Sequence, residues 1–390
     1  MGGERTLRAF YFCYFAAIGV TEPFLPVFFR DRGLSLAAIG GLLALLPAIQ
    51  ATVPFAFTVW AEARGIARGL FRTAAAGTVV AFLAFALPAP AWTLAAVMAA
   101  YAAIKSPLIP FANAMAFSLL GAGRERFGRL RVFGSLGYIV AAVAVGFALE
   151  AAGAGVVLLG GGLALLAAAG VAAAGRLPEP TLKGVRLREA WGDLLRNRAL
   201  CWFLAATFLV RLSGGTHLTF FTLYLREAGI GEAVAGVAWA VGVAAEVAVM
   251  LAWPLLLRRF PLRGLLALGF GATAVRWAAV TLTGNPAGLV LIQTLHGLTF
   301  GVTYLASVHL MDTEAPPALR ASGQALYAAV AFGLAGLLGN GFAGLLAERV
   351  ALTTLFRLSS LVALLGTALF FATSRPVAAV PAPASSLSRR

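Results

Sequence analysis

Apolar stretches long enough to cross a bilayer recur along the whole chain, and no other feature constrains its fold as tightly. A helix spanning the hydrocarbon core needs roughly 20 apolar residues. Runs of that kind between charges and turn residues lie at 8–29, 36–60, 70–87, 92–118, 129–149, 154–175, 199–225, 233–257, 264–283, 287–311, 319–346 and 351–373. Composition agrees: 61% of the residues are hydrophobic and 12% charged, against about 45–50% apolar and about 25% charged in soluble domains. An all-α membrane protein with twelve transmembrane helices is expected. A soluble enzyme and a disordered chain are both excluded.

Most connections are short, such as Pro88-Ala89-Pro90. The exception is 176–198, polar and carrying six basic residues. It predicts a linker between an N-terminal six-helix bundle, 1–175, and a C-terminal one, 199–374, with a tail at 375–390. The halves repeat each other. Phe28-Phe29-Arg30-Asp31-Arg32-Gly33-Leu34, then Gly40, matches Tyr224-Leu225-Arg226-Glu227-Ala228-Gly229-Ile230, then Gly236, every pair 196 positions apart. A parallel duplication of six spans is the pattern of the major facilitator fold, whose pseudo-symmetric halves rock around a midplane site.

The chain carries 30 Lys+Arg against 15 Asp+Glu. In a soluble protein that excess suggests nucleic acid. Here 22 of the basic residues fall at ends and loops on one side of the predicted membrane and four on the other (Arg30, Arg32, Arg226 and Arg349). This is the positive-inside bias. It predicts a prokaryotic plasma-membrane protein with both termini cytoplasmic and no nucleic-acid partner. Cys13 and Cys201 lie far apart, neither Lys105 nor Lys183 follows a phosphate-binding glycine loop, and no H-E-x-x-H or G-x-S-x-G occurs. No metal, cofactor, hydrolase chemistry or ATP-driven pumping is expected.

Four basic residues fall inside spans: Lys105, Arg211, Arg276 and Arg357. An ionisable group at bilayer depth costs roughly 2.5–3.5 kcal/mol on insertion scales and marks either a structural pair or a function. Helical rise places Glu246, Arg276 and His296 near mid-span in consecutive helices of one bundle, with Arg211 central in span seven. The expectation is that Glu246 and Arg276 neutralise each other and His296 titrates. The competing reading is a structural ion pair beside a core histidine. Glu22 and Lys105 are candidates for a second pair, although their depths differ by about 10 Å. His217, after Gly214-Gly215, is a candidate for binding substrate or a neighbouring helix, and Arg357 is placed to snorkel. Lys105, Arg211 and Arg276 against Glu22 and Glu246 leave one cation over, which an anionic substrate would offset.

Phe127-Gly128-Arg129-Leu130-Arg131-Val132-Phe133-Gly134-Ser135-Leu136-Gly137-Tyr138 resembles the start of span five in the lactose-permease and phenylpropionate-permease branches of the major facilitator superfamily. Ala245-Glu246-Val247, Val275-Arg276-Trp277 and Gln293-Thr294-Leu295-His296-Gly297-Leu298-Thr299-Phe300 resemble the same branches in spans eight to ten. Ser106-Pro107-Leu108-Ile109-Pro110 and His217 lean towards the phenylpropionate side. The resemblance implies that Glu246, Arg276 and His296 belong to the substrate and proton-coupling site. It also implies that Arg131 and Tyr138 bind substrate, so that Arg131 turns into the cavity although its position counts as cytoplasmic. Two acids of lactose permease are missing, their places taken by Thr299 and Asn113, which argues against galactosides.

The reading that results is a proton-coupled symporter, not an enzyme, that imports a small organic solute such as an aromatic carboxylate by alternating access. Proton coupling is expected at Glu246, His296, Arg276 and Glu22. Substrate binding is expected at Arg131, Tyr138, His217, Asn113, Lys105, Arg211 and Thr299. The partners are a small-molecule substrate, protons and the lipid bilayer, and the chain is expected to act as a monomer. Sugar or nucleoside symport, and proton-driven efflux of drugs or metabolites, are the rival functions.

Overall fold

In the computed structural model the described residues are 2–121, 123, 126–179, 192, 194–316 and 319–373, and among them there is no strand. Most of the predicted linker and the tail at 375–390 lie outside them, as does Arg124. Twelve helical spans follow one another among the described residues. In the first half α1 is Gly3–Asp31, α2 runs as Leu36–Gln50 and Val53–Arg64, α3 is Ala67–Leu83, α4 runs as Ala91–Lys105 and Leu108–Leu120, α5 is Phe127–Ala152 and α6 is Gly155–Ala174. In the second, α7 runs as Arg198–Ser213 and Gly215–Glu227, α8 is Glu232–Arg259, α9 is Leu262–Val280, α10 is Pro286–Glu314, α11 is Ser322–Ala347 and α12 is Leu352–Thr373. Each falls within several residues of its predicted stretch. Ten are long and apolar enough to cross a membrane. The others are α2, divided at Ala51-Thr52, and α9, which carries Arg263 and Arg276.

The divisions have local causes. A proline inside a helix leaves the carbonyl four residues back without its donor. Pro107 frees the Ala103 carbonyl, which accepts from the Ser106 hydroxyl at 2.8 Å, where α4 breaks. Pro47 frees the Leu43 carbonyl, and Asn340 of α11, in the opposite half, donates to it at 3.2 Å. A proline in one bundle thus creates an acceptor that the other bundle satisfies.

Buried apolar residues place the two halves. Among the described residues they form three clusters. One, drawn from both halves, includes Phe24, Phe29, Ile39, Leu149, Phe221, Trp239 and Ala343. A second lies within the first half, around Phe10, Phe71 and Met115. A third lies within the second, around Leu204, Phe270 and Met311. The halves therefore share a core towards the far end, where α1 finishes, and keep separate cores towards the end where it starts.

Small residues let the backbones meet at the far end. A Cβ on Gly40 would lie 2.5 Å from the Cα of Gly344, and one on Gly236 would lie 2.3 Å from the Ala142 carbonyl oxygen. Carboxylates close the contact. Glu348 accepts from the Ala37 amide at the start of α2, and Glu150 from the Ala233 amide at the start of α8, each at 2.9 Å. Ala37 and Ala233 are 196 residues apart, so the repeat seen in sequence reappears as two equivalent caps donated across the halves. The backbone amides at Ala37 and Leu36, with Ser35 and Arg30, hold the Glu348 carboxyl below its usual range. Arg226 pairs with Asp31 of the first half at 2.5 Å and with Glu232 of its own.

Candidate functional site

Where the halves part, charged side chains from both line a chamber. Glu22 lies well inside α1, between buried Thr21 and Pro23, yet is exposed. It interacts electrostatically with Lys105 of α4 and with Glu246 of α8 in the other half, and lies beside Tyr138. Such a residue faces water between the bundles. Lys105 is buried behind it, over the rings of Tyr101 and Tyr14 at 5.1 and 6.0 Å. The expected Glu22–Lys105 pair is thus an electrostatic interaction at longer range: no ion pair joins the two among the described residues, and the ammonium rests on tyrosine rings instead.

Arg131, whose position counts as cytoplasmic, instead turns into the chamber. Its guanidinium lies 3.7 Å from the centre of the Phe15 ring and 5.8 Å from that of Tyr11. The Tyr11 hydroxyl donates to Asn113 Oδ1 at 2.8 Å, so Asn113 fixes the aromatic platform under the arginine.

The second half is organised around Arg276, only 2% exposed. Its two terminal nitrogens each hold two partners. One donates to His296 Nδ1 at 2.9 Å and Thr299 Oγ1 at 3.0 Å. The other donates to His217 Nε2 at 3.1 Å and Gln293 Oε1 at 2.5 Å. Local backbone produces this convergence. Residues 293–295 of α10 form a 3₁₀ turn, in which positions i and i+3 eclipse, and that aligns Gln293 with His296. A π-helical turn, Gly297–Val302, follows and carries Thr299.

Arginine can only donate, so both histidine nitrogens facing it accept and both rings are neutral here. The remaining proton of His296 is then on Nε2, 3.8 Å from Glu246 Oε2. The expected direct pairing of Glu246 with Arg276 is replaced by a relay in which His296 stands between them. The sequence reading missed Gln293, although its spacing of three from His296 is a usable signal. It also missed the aromatic box of Phe221, Trp239 and Trp277 that holds the buried His217 with ring centres 4.7, 4.7 and 5.0 Å away.

Arg211 of α7 lies over Phe300 and Phe332, each ring centre 4.8 Å from the guanidinium carbon. Both rings sit in π-helical turns, Gly297–Val302 of α10 and Ala329–Leu334 of α11. Arg357 is exposed near the far end, its Nε 3.5 Å from the Thr281 hydroxyl. His217, Tyr138, Lys105 and Thr299 are buried in the wall behind the chamber, whereas Glu22, Arg131, Arg211, Glu246 and His296 keep accessible surface.

Two helical bundles around a charged, water-accessible midplane chamber define a membrane transporter of the alternating-access class. The family model described as MFS_1 like family matches residues 5–358, and the chain belongs to that family of the major facilitator superfamily. It is similar to the maltose permease of Geobacillus stearothermophilus, 28% identical with 92% of this chain and 91% of that one covered. It is also similar to the probable 3-phenylpropionic acid transporter of Escherichia coli (strain K12), 29% identical with 88% and 90% covered. Among solved structures, the nucleoside transporter NupG shares the fold at a TM-score of 0.86 with 16% identity, covering 96% of this chain and 99% of that one.

Proposed function

We propose that this transporter imports a small organic carboxylate, phenylpropionate-like in size, together with protons, and that it acts as a monomer with both termini cytoplasmic. In that orientation the structure is the state open to the cytoplasm and closed at the outer face. The observation that carries the reading is the charge around the chamber. Among the described residues around it, Lys105, Arg131, Arg211 and Arg276 stand against Glu22 and Glu246, an excess of two cations. Uncompensated charge there is costly, and an anionic solute offsets it where a neutral one does not. Of the three substrate chemistries in the names of the similar proteins, sugar, nucleoside and aromatic acid, this balance favours the acid. Glu246 supplies the titrating carboxyl beside a neutral His296, with Glu22 as a second acceptor of protons from the chamber.

The test is uptake of radiolabelled 3-phenylpropionate into proteoliposomes, with protein-free liposomes under the same gradient as the baseline for passive entry of the neutral acid. The expected result is saturable, protein-dependent uptake that is faster with an alkaline interior and slowed by a protonophore. Protein-dependent uptake indifferent to the protonophore would overturn proton coupling. Absence of saturable uptake for this and related aromatic acids would overturn the substrate class.

A further inference from the structure

Three half-buried rings stand in line on α10. His296, Phe300 and Tyr304 follow one another at steps of four, with ring centres 5.3 and 6.0 Å apart and planes tilted by only 18° and 16°. In a regular α-helix, positions four and eight residues on drift around the axis by about 40° and about 80°. The π-helical turn Gly297–Val302 is wider, rotates each residue less and takes up that drift. Neighbours fix the other sides of the turn. A Cβ on Gly297 would lie 2.8 Å from the Ala245 carbonyl oxygen of α8, and one on Gly269 of α9 would run into Thr303.

The column meets a second aromatic surface from α11. Phe332, half-buried and carried by its own π-helical turn, lies 6.3 Å from Phe300 and 6.0 Å from Tyr304, its plane at 57° and 65° to theirs. Together they make a corner. Arg211 braces it, with the guanidinium carbon 4.8 Å from the centres of both phenylalanine rings and with Nε and one terminal nitrogen buried. Buried Tyr327 backs Phe332 at 5.9 Å. In the first half the rings beside the chamber are already covered. Tyr11, Tyr14 and Tyr138 are buried, and the guanidinium of Arg131 lies over half-buried Phe15 at 3.7 Å.

We infer that Phe300 and Tyr304 of α10, with Phe332 of α11, form the subsite for the substrate's aryl ring, so that the transporter selects aromatic over aliphatic acids. The inference rests on the carboxylate reading above and goes further by naming what holds the rest of the molecule. A flat ring entering the corner lies parallel to the column and meets Phe332 edge to face. Aromatic pairs prefer these two arrangements, at centre distances of about 4.5–7 Å. A saturated ring offers more apolar surface but no π-face, so burial alone would rank the two ligands in the opposite order.

Isothermal titration calorimetry on the purified full chain compares 3-phenylpropionate with 3-cyclohexylpropionate, and the amide of each as a neutral control. Wild type is expected to bind the phenyl acid about threefold to tenfold more tightly than the cyclohexyl acid. Phe300→Leu and Tyr304→Leu are each expected to bring that ratio close to one, and Phe300→Tyr to keep it. Both acids are titrated into the same sample, so a loss of folded protein cancels from the ratio. Equal binding of the two acids by wild type, or a ratio unchanged in both leucine variants, would overturn the subsite and leave the carboxylate reading standing. If the acids do not bind but the amides show the preference, the carboxylate reading fails and the subsite stands. If no probe binds, both fail. Photolabelling of wild type with 3-(4-azidophenyl)propionate locates the ring without any substitution. Label is expected within 297–304 or at Phe332, and label confined to the first half would overturn the assignment.

Discussion

Valine at Gly40 and Gly236 together is expected to reduce uptake of 3-phenylpropionate to the level of protein-free liposomes. At both positions a single Cβ already meets backbone of the opposite half, the Gly344 Cα at 2.5 Å and the Ala142 carbonyl oxygen at 2.3 Å. Backbone cannot rotate away as a flexible side chain can, so the two bundles must separate at the far end. That separation also pulls Glu348 from the Ala37 amide and Glu150 from the Ala233 amide. Each half retains its own buried cluster, so the protein should still insert and fold. Spin labels at Leu34 and Ala228, on opposite halves of the far end, should then report a longer distance than in wild type. Normal uptake by the double variant would show that this contact does not have to close during the cycle.

The second large effect is expected at Arg276. Arg276→Lys keeps the charge but replaces a planar fork by a compact ammonium with three donors, so it cannot serve His296, Thr299, His217 and Gln293 together. Its decisive loss is at His296. Donation from Arg276 to Nδ1 is what holds the ring proton on Nε2, facing Glu246. Without it the ring is free to take the other tautomer or a second proton. Gradient-driven uptake is expected to fall about tenfold to a hundredfold, the equivalent of losing a hydrogen bond from a charged group, about 1.5–3 kcal/mol. Nitrogen NMR of the labelled His296 ring reports the cause directly, because wild type should show the Nε2–H tautomer and the variant a mixture. An unchanged tautomer with unchanged uptake would reduce Arg276 to a packing residue.

Hydropathy made the spans legible because lipid leaves a helix no other way to satisfy its backbone. Rise per residue then brought Glu246, Arg276 and His296 to one depth. Depth is not direction, however. The placing of His296 between the other two depends on a 3₁₀ turn followed by a π-helical turn in α10, and apolar periodicity carries no mark of either. The same holds for Arg211, whose aromatic platform is assembled by two π-helical turns on separate helices. Arg131 shows the reverse case. Position alone assigned it to a cytoplasmic end, and only the resemblance of 127–138 to known permeases turned it inward, where Phe15 and Tyr11 receive it. The repeat of 196 residues foretold pseudo-symmetry, and the paired caps at Ala37 and Ala233 give it a structural use.

The central claim is that Glu246, relayed through His296 to Arg276, couples protons to substrate. It is tested most directly by comparing two activities of Glu246→Gln in proteoliposomes. One is exchange of labelled for unlabelled 3-phenylpropionate across the membrane without a gradient. The other is net uptake driven by an alkaline interior. A permanently neutral residue 246 leaves the binding chamber intact but has no proton to release, so exchange should persist near the wild-type rate while the response to the gradient disappears. A variant that still accelerates uptake under the gradient as wild type does would contradict the account.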